Sequence, residues 1–375
     1  MEPVSRPSLL TTVLDRLMQN ARPRSAVVEA TSHCQLRCPS CPTAQRDTDR
    51  ALGRGYLTPA MLTRILDTGQ NLRHLELSNW GEAFLNPKLE DILKIASARR
   101  IDVTLSNGVN FNHVKDETLE ALVKYEVKDV TCSIDGASQE TYVAYRRGGN
   151  FDRVIANIKK LNHFKTKYKS KWPRLRWQFI MFGHNEHEVD KARRVAKALN
   201  MSINFKLSWD PDYSPVVNRG LARRLAGAAS RQESSDDHGI KPHSKACTQL
   251  WRKPAINWDG KVVGCCVNYW GSFGDVGTAG GFAQAIESDR MRHARQMLMG
   301  RAPPRDDVPC STCEHYLDRR RSGRWVTPVD ILVWTPLREF LYRRGLTRAV
   351  RQLVVFRLPG LMRLPIVRRA LLGGI

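Results

Sequence analysis

Between residues 25 and 208, short runs of β-branched and apolar residues alternate with longer segments in which apolar residues recur at helical spacing. This alternation is typical of parallel strands joined by helical crossovers and predicts an α/β fold. The predicted strands are residues 26–30, 74–78, 101–106, 129–134, 175–181 and 203–207. The predicted helices between them are residues 58–68, 88–99, 116–125, 151–168 and 186–199. Thr58 followed by Pro59 marks the start of the first helix, because threonine caps helices and proline suits the first helical position.

Polar and glycine-containing segments follow the first four predicted strands. In βα barrels the residues that carry chemistry collect at the C-terminal ends of the strands. Here those ends run into Cys34-Gln-Leu-Arg-Cys38-Pro-Ser-Cys41, Ser78-Asn-Trp-Gly81-Glu82, Ser106-Asn107-Gly108 and Ser133-Ile-Asp135-Gly136. Four consecutive strand ends of this kind exceed what the strand pattern requires. They predict one cofactor site at that rim.

The flanking segments follow other patterns. Residues 1–24 have an apolar period interrupted by charges, which predicts a short N-terminal amphipathic helix rather than a signal peptide. Residues 209–245 lack a clear period and are interpreted as a linker, and residues 246–316 are a second cysteine-bearing unit. Residues 317–375 contain 13 arginines, no lysine and three acids among many apolar residues, which predicts a basic amphipathic helical tail. No run of about 18 uncharged apolar residues predicts a membrane span.

The charge balance points to an anionic partner. Lys and Arg number 60 against 37 acids, so the formal net charge is +23. A phosphorylated substrate, nucleic acid or a membrane surface would each suit this charge. The 9 cysteines of the 375-residue chain are clustered, which indicates metal ligation in a reducing compartment rather than a disulfide framework. We therefore expect a cytoplasmic protein.

The first cysteine group is Cys34, Cys38 and Cys41. A 4Fe-4S cluster normally takes four thiolates, so three close cysteines can hold a cluster and leave one iron open to another ligand. A structural zinc site, or a redox pair of Cys38 and Cys41, are alternative interpretations.

The CxxxCxxC spacing after a strand resembles the signature of the radical S-adenosylmethionine (SAM) enzymes. This resemblance implies a partial (β/α)6 TIM-like barrel over residues 25–208. It also implies that the open iron binds the amino and carboxylate groups of SAM, which is then cleaved to a 5'-deoxyadenosyl radical. His33 is not expected to be a fourth ligand, because the open iron is what this chemistry needs.

Further SAM-site residues follow from the same resemblance. The implied cofactor-binding residues are Gly81, Glu82, Asn107, Ser133, Asp135 and Arg146. Arg146 is expected to pair with the methionine carboxylate, and Arg147 is an adjacent competitor. Two positions depart from the family pattern. The turn Trp80-Gly81-Glu82-Ala83 lacks the usual first glycine and the proline, and Ser40 stands where an aromatic residue usually packs beside the adenine.

The second cysteine group is Cys247, Cys265, Cys310 and Cys313. Four thiolates can complete the coordination of a structural zinc or of a fully ligated 4Fe-4S cluster. Beside the first group, this arrangement resembles the SPASM and twitch extensions that carry auxiliary clusters. Because no cysteine follows Cys313, one auxiliary cluster of the twitch type is the better match. Cys266 adjoins Cys265, so either of the two could be the ligand.

The resemblance implies an oxidoreductase or isomerase. Relatives with one auxiliary cluster include aminocyclitol dehydrogenases, so we expect dehydrogenation or epimerisation of a sugar-like, aminocyclitol or polyol substrate, phosphorylated or lipid-linked in view of the charge. Cys266 and Cys132 are candidate hydrogen-atom donors, and flavodoxin or ferredoxin is the expected electron donor. The alternatives are a radical SAM peptide maturase that forms thioether or carbon-carbon crosslinks, and a non-catalytic, zinc-stabilised basic binding protein.

The arginine-rich tail has two interpretations. Segments such as 337–344 and 347–356 combine arginine with bulky apolar residues, which suits peripheral contact with an anionic bilayer. A helical lid on the barrel, or a subunit contact, would explain the same pattern. Nucleic-acid binding is disfavoured because no recognition module is evident.

Overall fold

Six parallel strands form the main sheet of the computed structural model, which describes residues 22–233 and 244–337 together with Val13, Met18 and Phe340. The strands are β1 Ser25–Val28, β2 His74–Glu76, β3 Asp102–Val109, β4 Asp129–Ser133, β5 Arg174–Met181 and β6 Ser202–Leu207. They pair in chain order from β1 to β6, each parallel to the next. All six predicted strands are confirmed, with small shifts at their ends. The sheet is a partial barrel of the predicted (β/α)6 kind.

The C-terminal unit adds three short strands to the same sheet. They are β7 Ala255–Ile256, β8 Lys261–Val262 and β9 Gly274–Asp275. β7 pairs in parallel with β1, with Val27 opposite Ala255, and the next two pairings are antiparallel. The order of the sheet is therefore β6-β5-β4-β3-β2-β1-β7-β8-β9. This continuity sets the position of the second cysteine group relative to the first.

Helices cover the outside of the barrel strands. The five predicted helices are confirmed as Pro59–Thr68, Leu89–Ala98, Asp116–Lys124, Phe151–Lys167 and Val189–Ala198, the last preceded by a 3-10 turn at Glu186–Glu188. Thr58 caps the first of them, since its hydroxyl accepts a hydrogen bond from the Met61 N–H at 3.1 Å. That helix buries Leu62, Ile65 and Leu66 against the core, as its apolar period predicts.

Shorter helices complete the described residues. Around the site these are Pro42–Gln45, Asp49–Leu52, the 3-10 turn Ala83–Leu85 and Gln139–Tyr145. The C-terminal unit contains the 3-10 turn Ser244–Thr248, Gln249–Arg252, Gly281–Ala285, Asp289–Leu298, the 3-10 turn Pro309–Thr312, Glu314–Ser322 and the π-helical segment Asp330–Trp334. No helix in the described part of the chain is both long and apolar enough to cross a bilayer.

The segment interpreted as a linker contains a helix, Arg219–Ala226. Asn218 caps it by accepting from the Leu221 N–H at 2.9 Å. Its apolar residues do recur at helical spacing, as Leu221, Ala222, Leu225 and Ala226, so the linker interpretation overlooked a short local period. Residues 234–243 of the same segment, most of the predicted N-terminal helix and residues 341–375 of the tail lie outside the described residues.

A buried carboxylate joins the ends of β2 and β3. Glu76 is fully buried, and its oxygens accept hydrogen bonds from Ser78 Oγ at 2.6 Å, from Thr104 Oγ1 at 2.6 Å and from the Ser106 N–H at 2.8 Å. A buried carboxylate is tolerated only when such donors replace its hydration. Glu76 therefore holds two strand ends in register at the rim where the cofactor site is predicted.

Replacing Glu76 by alanine should lower the free energy of unfolding by about 2–4 kcal/mol, because several buried donors would lose their acceptor. Chemical denaturation of the variant measures this loss. Glu117→Ala is the matched control, since Glu117 is exposed, and should cost less than about 1 kcal/mol. Equal effects of the two substitutions would contradict a structural role for the Glu76 network.

Candidate functional site

A cavity of about 1290 Å³ opens at the C-terminal ends of the barrel strands. Both the barrel and the C-terminal unit contribute to its wall. The predicted site residues in the wall are Cys34, Cys38, Cys41, Gly81, Glu82, Asn107, Ser133, Arg146, Cys266 and Cys313. The expectation of one site at this rim is therefore met by the geometry.

The first cysteine group lies in the loop after β1. Cys34 and Cys41 pack against an apolar cluster of Leu36, Cys38, Tyr145 and Phe182. This burial raises the pKa of the Cys34 thiol to about 12, with a further contribution from the Glu82 carboxylate. Burial also raises the pKa of Cys38. A metal ion bound at these sulfurs would supply the positive charge that thiolates need in such apolar surroundings.

The cysteine loop is tied to the end of β2. The Glu82 N–H donates to the His33 carbonyl at 2.7 Å, and Thr43 Oγ1 donates to the Trp80 carbonyl at 2.9 Å. Gly81 packs so closely that an added Cβ would clash with the Thr31 carbonyl oxygen. Only glycine permits this approach of two backbones. The turn lacks the first glycine and the proline that are usual in the family, but it retains Gly81, the glycine that this packing requires.

Glu82 is a buried carboxyl in the cavity wall. Its oxygens accept from the Asn110 N–H at 2.7 Å and the Phe84 N–H at 3.2 Å. Desolvation by burial nevertheless raises its pKa to about 7, and these hydrogen bonds only partly oppose the shift. A cationic ligand group beside Glu82 would be stabilised by the ionised form.

Arg146 faces the first cysteine group. Its Nε donates to Asp135 Oδ2 at 2.6 Å and its Nη1 to Cys38 Sγ at 3.8 Å. Asp135 is fully buried, also accepts from the Ile180 N–H at 2.7 Å, and is absent from the cavity wall, so it orients Arg146 rather than reaching the cavity. Arg147 is exposed and away from the cavity wall, so the structure brings Arg146 and not its neighbour into the site.

Three polar side chains of the cavity wall differ in their hydrogen bonds. Asn107 Nδ2 donates to the Ser78 carbonyl at 2.6 Å, so its side chain is committed to the strand end. In contrast, Trp80 Nε1 and Gln178 Oε1 are buried and have no hydrogen-bond partner among the described residues. Buried polar atoms of this kind need a water or a ligand to complete them. A polar cofactor such as SAM fits this wall.

The second cysteine group comes from three segments of the C-terminal unit. Burial raises the pKa of Cys310, and the nearby thiolates of Cys265, Cys247 and Cys313 raise it further. The four sulfurs are thus neighbours. Cys266 lines the large cavity and Cys265 does not. Cys266 is also close to this group, because its charge raises the pKa of Cys247 and of Cys265.

Two predicted residues lie away from the cavity. Cys132 is fully buried on β4 and is not part of the cavity wall, so the structure does not bring this candidate hydrogen donor to the site. His33 stacks on Tyr56 with ring centroids 4.6 Å apart and contacts Arg54, outside the wall.

Two residues that the sequence pattern did not single out help to shape the site. Glu29 is buried and accepts from the Trp80 N–H at 2.7 Å and the Gly81 N–H at 3.2 Å, and burial raises its pKa to about 7. Asp210 accepts from Ser40 Oγ at 2.5 Å, so the position where relatives have an aromatic residue is tied to the 209–245 segment. One feature of the sequence could have identified Glu29, because it is the single charged residue in the otherwise apolar predicted strand of residues 26–30.

Lys206, also missed, lies near the end of β6 in the cavity wall. Desolvation and the adjacent positive charges of Arg231 and Arg176 lower its pKa to about 8, against a weaker opposing effect of Asp135. Lysine with such a pKa can exchange a proton near neutral pH.

Among the described residues, no three His, Cys, Asp or Glu side chains are placed to hold a single metal ion. In a 4Fe-4S cluster the thiolates bind different irons, so they need not converge on one point. The fit to a cluster rests instead on three thiols in one cavity wall, of which Cys38 is buried and Cys34 and Cys41 are half-buried, with Arg146 beside Cys38.

Two family models match the chain. Residues 28–196 match the Radical SAM superfamily, and residues 247–314 match SPASM, an iron-sulfur cluster-binding domain. No curated protein matches the chain.

Solved structures share the fold at low identity. Streptococcus suis SuiB bound to S-adenosylmethionine is similar with a TM-score of 0.53 and 14% identity, over 80% of this chain and 74% of SuiB. Another SuiB structure gives a TM-score of 0.48 and 14% identity over 66% of this chain, which spans 62% of the length of SuiB. BtrN in complex with AdoMet and 2-DOIA gives a TM-score of 0.45 and 14% identity, over 78% of this chain and 93% of BtrN. At this identity the likeness concerns the fold alone.

Replacing Gly81 by alanine should displace the cysteine loop, because the new Cβ would clash with the Thr31 carbonyl. After anaerobic reconstitution we expect the variant to lose about four of about eight irons per chain, since the second cysteine group is untouched. Gly220→Ala is the control, because a Cβ there meets only ordinary van der Waals contact. A full iron content in the Gly81 variant would refute the required close approach.

Proposed function

Because the chain belongs to the radical SAM superfamily and carries a C-terminal SPASM domain, we propose that it is an oxidoreductase that dehydrogenates a sugar-like, aminocyclitol or polyol substrate. One observation carries this proposal: Cys34, Cys38 and Cys41 share a single cavity with Cys266 and Cys313. A substrate in that cavity lies between a site that begins radical chemistry and a second redox site.

The barrel residues would hold the first cluster and SAM. When bound, a 4Fe-4S cluster supplies the electron that cleaves SAM to methionine and a 5'-deoxyadenosyl radical. Cys34, Cys38 and Cys41 are the ligands we assign to it. Arg146 uses Nε and Nη1 for Asp135 and Cys38, which leaves Nη2 for the methionine carboxylate. Glu82 and the backbone around Gly81 are assigned to the methionine amino group.

The C-terminal residues would hold one auxiliary cluster. Cys247, Cys265, Cys310 and Cys313 are the ligands we assign, since the pKa of Cys310 responds to the other three thiolates. We assign Cys265 rather than Cys266 as the ligand because the thiolate of Cys265 is among those that raise the pKa of Cys310, and that of Cys266 is not. An auxiliary cluster can accept the electron that a substrate radical must lose.

The proposed dehydrogenation needs a proton acceptor in addition to the acceptors of the hydrogen atom and of the electron. Loss of a hydrogen atom from the carbon of a secondary alcohol leaves a carbon radical that still carries the hydroxyl group. A ketone would then form if an auxiliary cluster held by the C-terminal cysteines accepted one electron and a base accepted the hydroxyl proton. We assign the base to Lys206, which lies in the cavity wall and has a pKa lowered to about 8.

Epimerisation is a second candidate, supported by the position of Cys266. A thiol in the cavity wall can return a hydrogen atom to the opposite face of a substrate radical. The two outcomes differ in the need for an electron acceptor, because epimerisation leaves the substrate redox state unchanged. Cys266→Ala should abolish product formation by an epimerase and spare a dehydrogenase.

The cell-level assignments stay proposals. Flavodoxin or ferredoxin would reduce the first cluster, and the cytoplasm would keep the 9 cysteines reduced. The net charge of +23 supports a phosphorylated or lipid-linked substrate.

Iron counts and SAM cleavage test the cluster assignments. The reconstituted protein should hold about eight irons per chain and release 5'-deoxyadenosine when reduced. The triple variant Cys34→Ala, Cys38→Ala, Cys41→Ala should lose about four irons and all SAM cleavage, whereas the pair Cys310→Ala, Cys313→Ala should lose the other four and keep cleavage. Zinc in place of iron, without cleavage, would overturn the proposed function.

Lys206 should react with an acylating reagent at a rate that rises as pH passes through about 8, because only its neutral amine is nucleophilic. A lysine in a short peptide would reach half of its maximal reactivity near pH 10.4. Mass spectrometry of the labelled Lys206 peptide over a pH series measures this.

Lys206→Met should still incorporate deuterium from substrate into 5'-deoxyadenosine, yet form at least about tenfold less product, since general-base catalysis typically contributes about 10²–10⁴-fold. Lys206→Arg controls for the loss of positive charge. Half-maximal labelling of Lys206 near pH 10, or wild-type product yield from the methionine variant, would remove the assignment of the base.

A further inference from the structure

The last described helix, residues 328–337, has two apolar faces. The inner face packs on the core of the C-terminal unit through Ile331, which is fully buried, with Leu332 beside it. The outer face presents a row of side chains that stays exposed. Its members are Val329, Val333 and Leu337, which are 41%, 48% and 40% exposed. Their spacing of four residues places them on one side of the helix.

Hydrogen bonds fix the start of this helix. The Val326 N–H donates to the Leu298 carbonyl at 2.9 Å, joining the residues before the helix to the end of helix Asp289–Leu298. Asp330 accepts from the Thr327 N–H at 2.9 Å and from Thr327 Oγ1 at 2.7 Å. The carboxylate of Asp330 is thus engaged within the first turn. We call the exposed row of side chains on this helix the apolar ridge.

Positive charge surrounds the apolar ridge in the sequence. Arg320, Arg321 and Arg324 are exposed just before it. After Glu339 the chain has eight further arginines and no acid. An apolar ridge flanked by arginine matches the boundary of an anionic bilayer, where apolar side chains enter the acyl region and cations bind lipid phosphates.

Other occupants fit these features less well. A second copy of the chain would bring another net charge of +23 against the same basic surface. A nucleic acid would use the arginines but gives no reason for three exposed aliphatic side chains in a row.

We propose that the apolar ridge and the exposed arginines before it, Arg320, Arg321 and Arg324, form a docking surface for an anionic lipid bilayer. Val329, Val333 and Leu337 enter the boundary between headgroups and acyl chains, and the three arginines bind lipid phosphate. The proposal does not depend on the reaction at the cavity. It would bring the cavity close to lipid-linked molecules.

Co-sedimentation of the full-length protein with vesicles tests the docking surface. Vesicles of phosphatidylcholine with phosphatidylglycerol should bind the protein at least about tenfold more tightly than phosphatidylcholine alone, because each arginine near an anionic surface adds about 1 kcal/mol. Raising the salt concentration should weaken the binding, since it screens this attraction.

The double variant Val333→Asp, Leu337→Asp should reduce binding to the anionic vesicles by about tenfold or more, because two carboxylates would meet the bilayer. Val217→Asp is the matched control, because Val217 is 77% exposed and lies in the 209–245 segment, outside the apolar ridge. Unchanged circular dichroism and iron content would show that both variants fold.

Three results would overturn the proposal. The first is equal vesicle binding by the double variant and the control. The second is a dimer in sedimentation equilibrium that the double variant abolishes, which would make the ridge a contact between copies. The third applies if the full-length protein does not bind vesicles. Increased hydrogen exchange of residues 328–337 after truncation at residue 341 would then assign the ridge to a contact with the chain's own tail.

Discussion

The parallel pairing of β1 with β7 fixes the position of the C-terminal unit relative to the barrel. Backbone hydrogen bonds, from the Val27 N–H to the Pro254 carbonyl at 3.0 Å and from the Glu29 N–H to the Ile256 carbonyl at 2.9 Å, join the C-terminal unit to the first barrel strand. The loop after β1 carries the first cysteine group, and the turn after β8 carries Cys265 and Cys266. One continuous sheet therefore brings two redox-capable groups to one cavity.

Buried carboxyl groups organise the rim of that cavity. Glu76 accepts donors from the ends of β2 and β3, Glu29 holds the backbone at Trp80 and Gly81, and Glu82 holds the backbone at Asn110. Burial raises the pKa of both Glu29 and Glu82 to about 7, so the folded state binds their protons more tightly than the unfolded chain does. The two groups therefore contribute less stability as pH rises from about 4.5, their ordinary pKa, to about 7, and the loss is complete above that. The same carboxyl groups accept hydrogen bonds from the backbone around the cavity, and these bonds define the shape of the site.

The end of β6 and the segment after it add basic residues to the cavity wall. Lys206 and Arg231 line the cavity, and Asp210 ties the same segment to Ser40, next to Cys41. The segment interpreted as a linker thus helps to enclose the site. An ordered wall here suits radical chemistry, because exclusion of water protects a reactive intermediate.

The sequence by itself determined the strands, the main helices and the cysteine chemistry of this protein. Hydrophobic period and short-range capping are local properties, and the spacing of Cys34, Cys38 and Cys41 is local as well. Tertiary structure alone decided which groups meet. Cys266 lines the cavity while Cys265 does not, and Arg146 faces inward while Arg147 is exposed. The pKa of Lys206 is lowered by burial and by two arginines that are distant from it in the sequence. These outcomes depend on contacts between residues far apart in the chain, where the direction of a side chain and its loss of water are set by packing that no local pattern encodes.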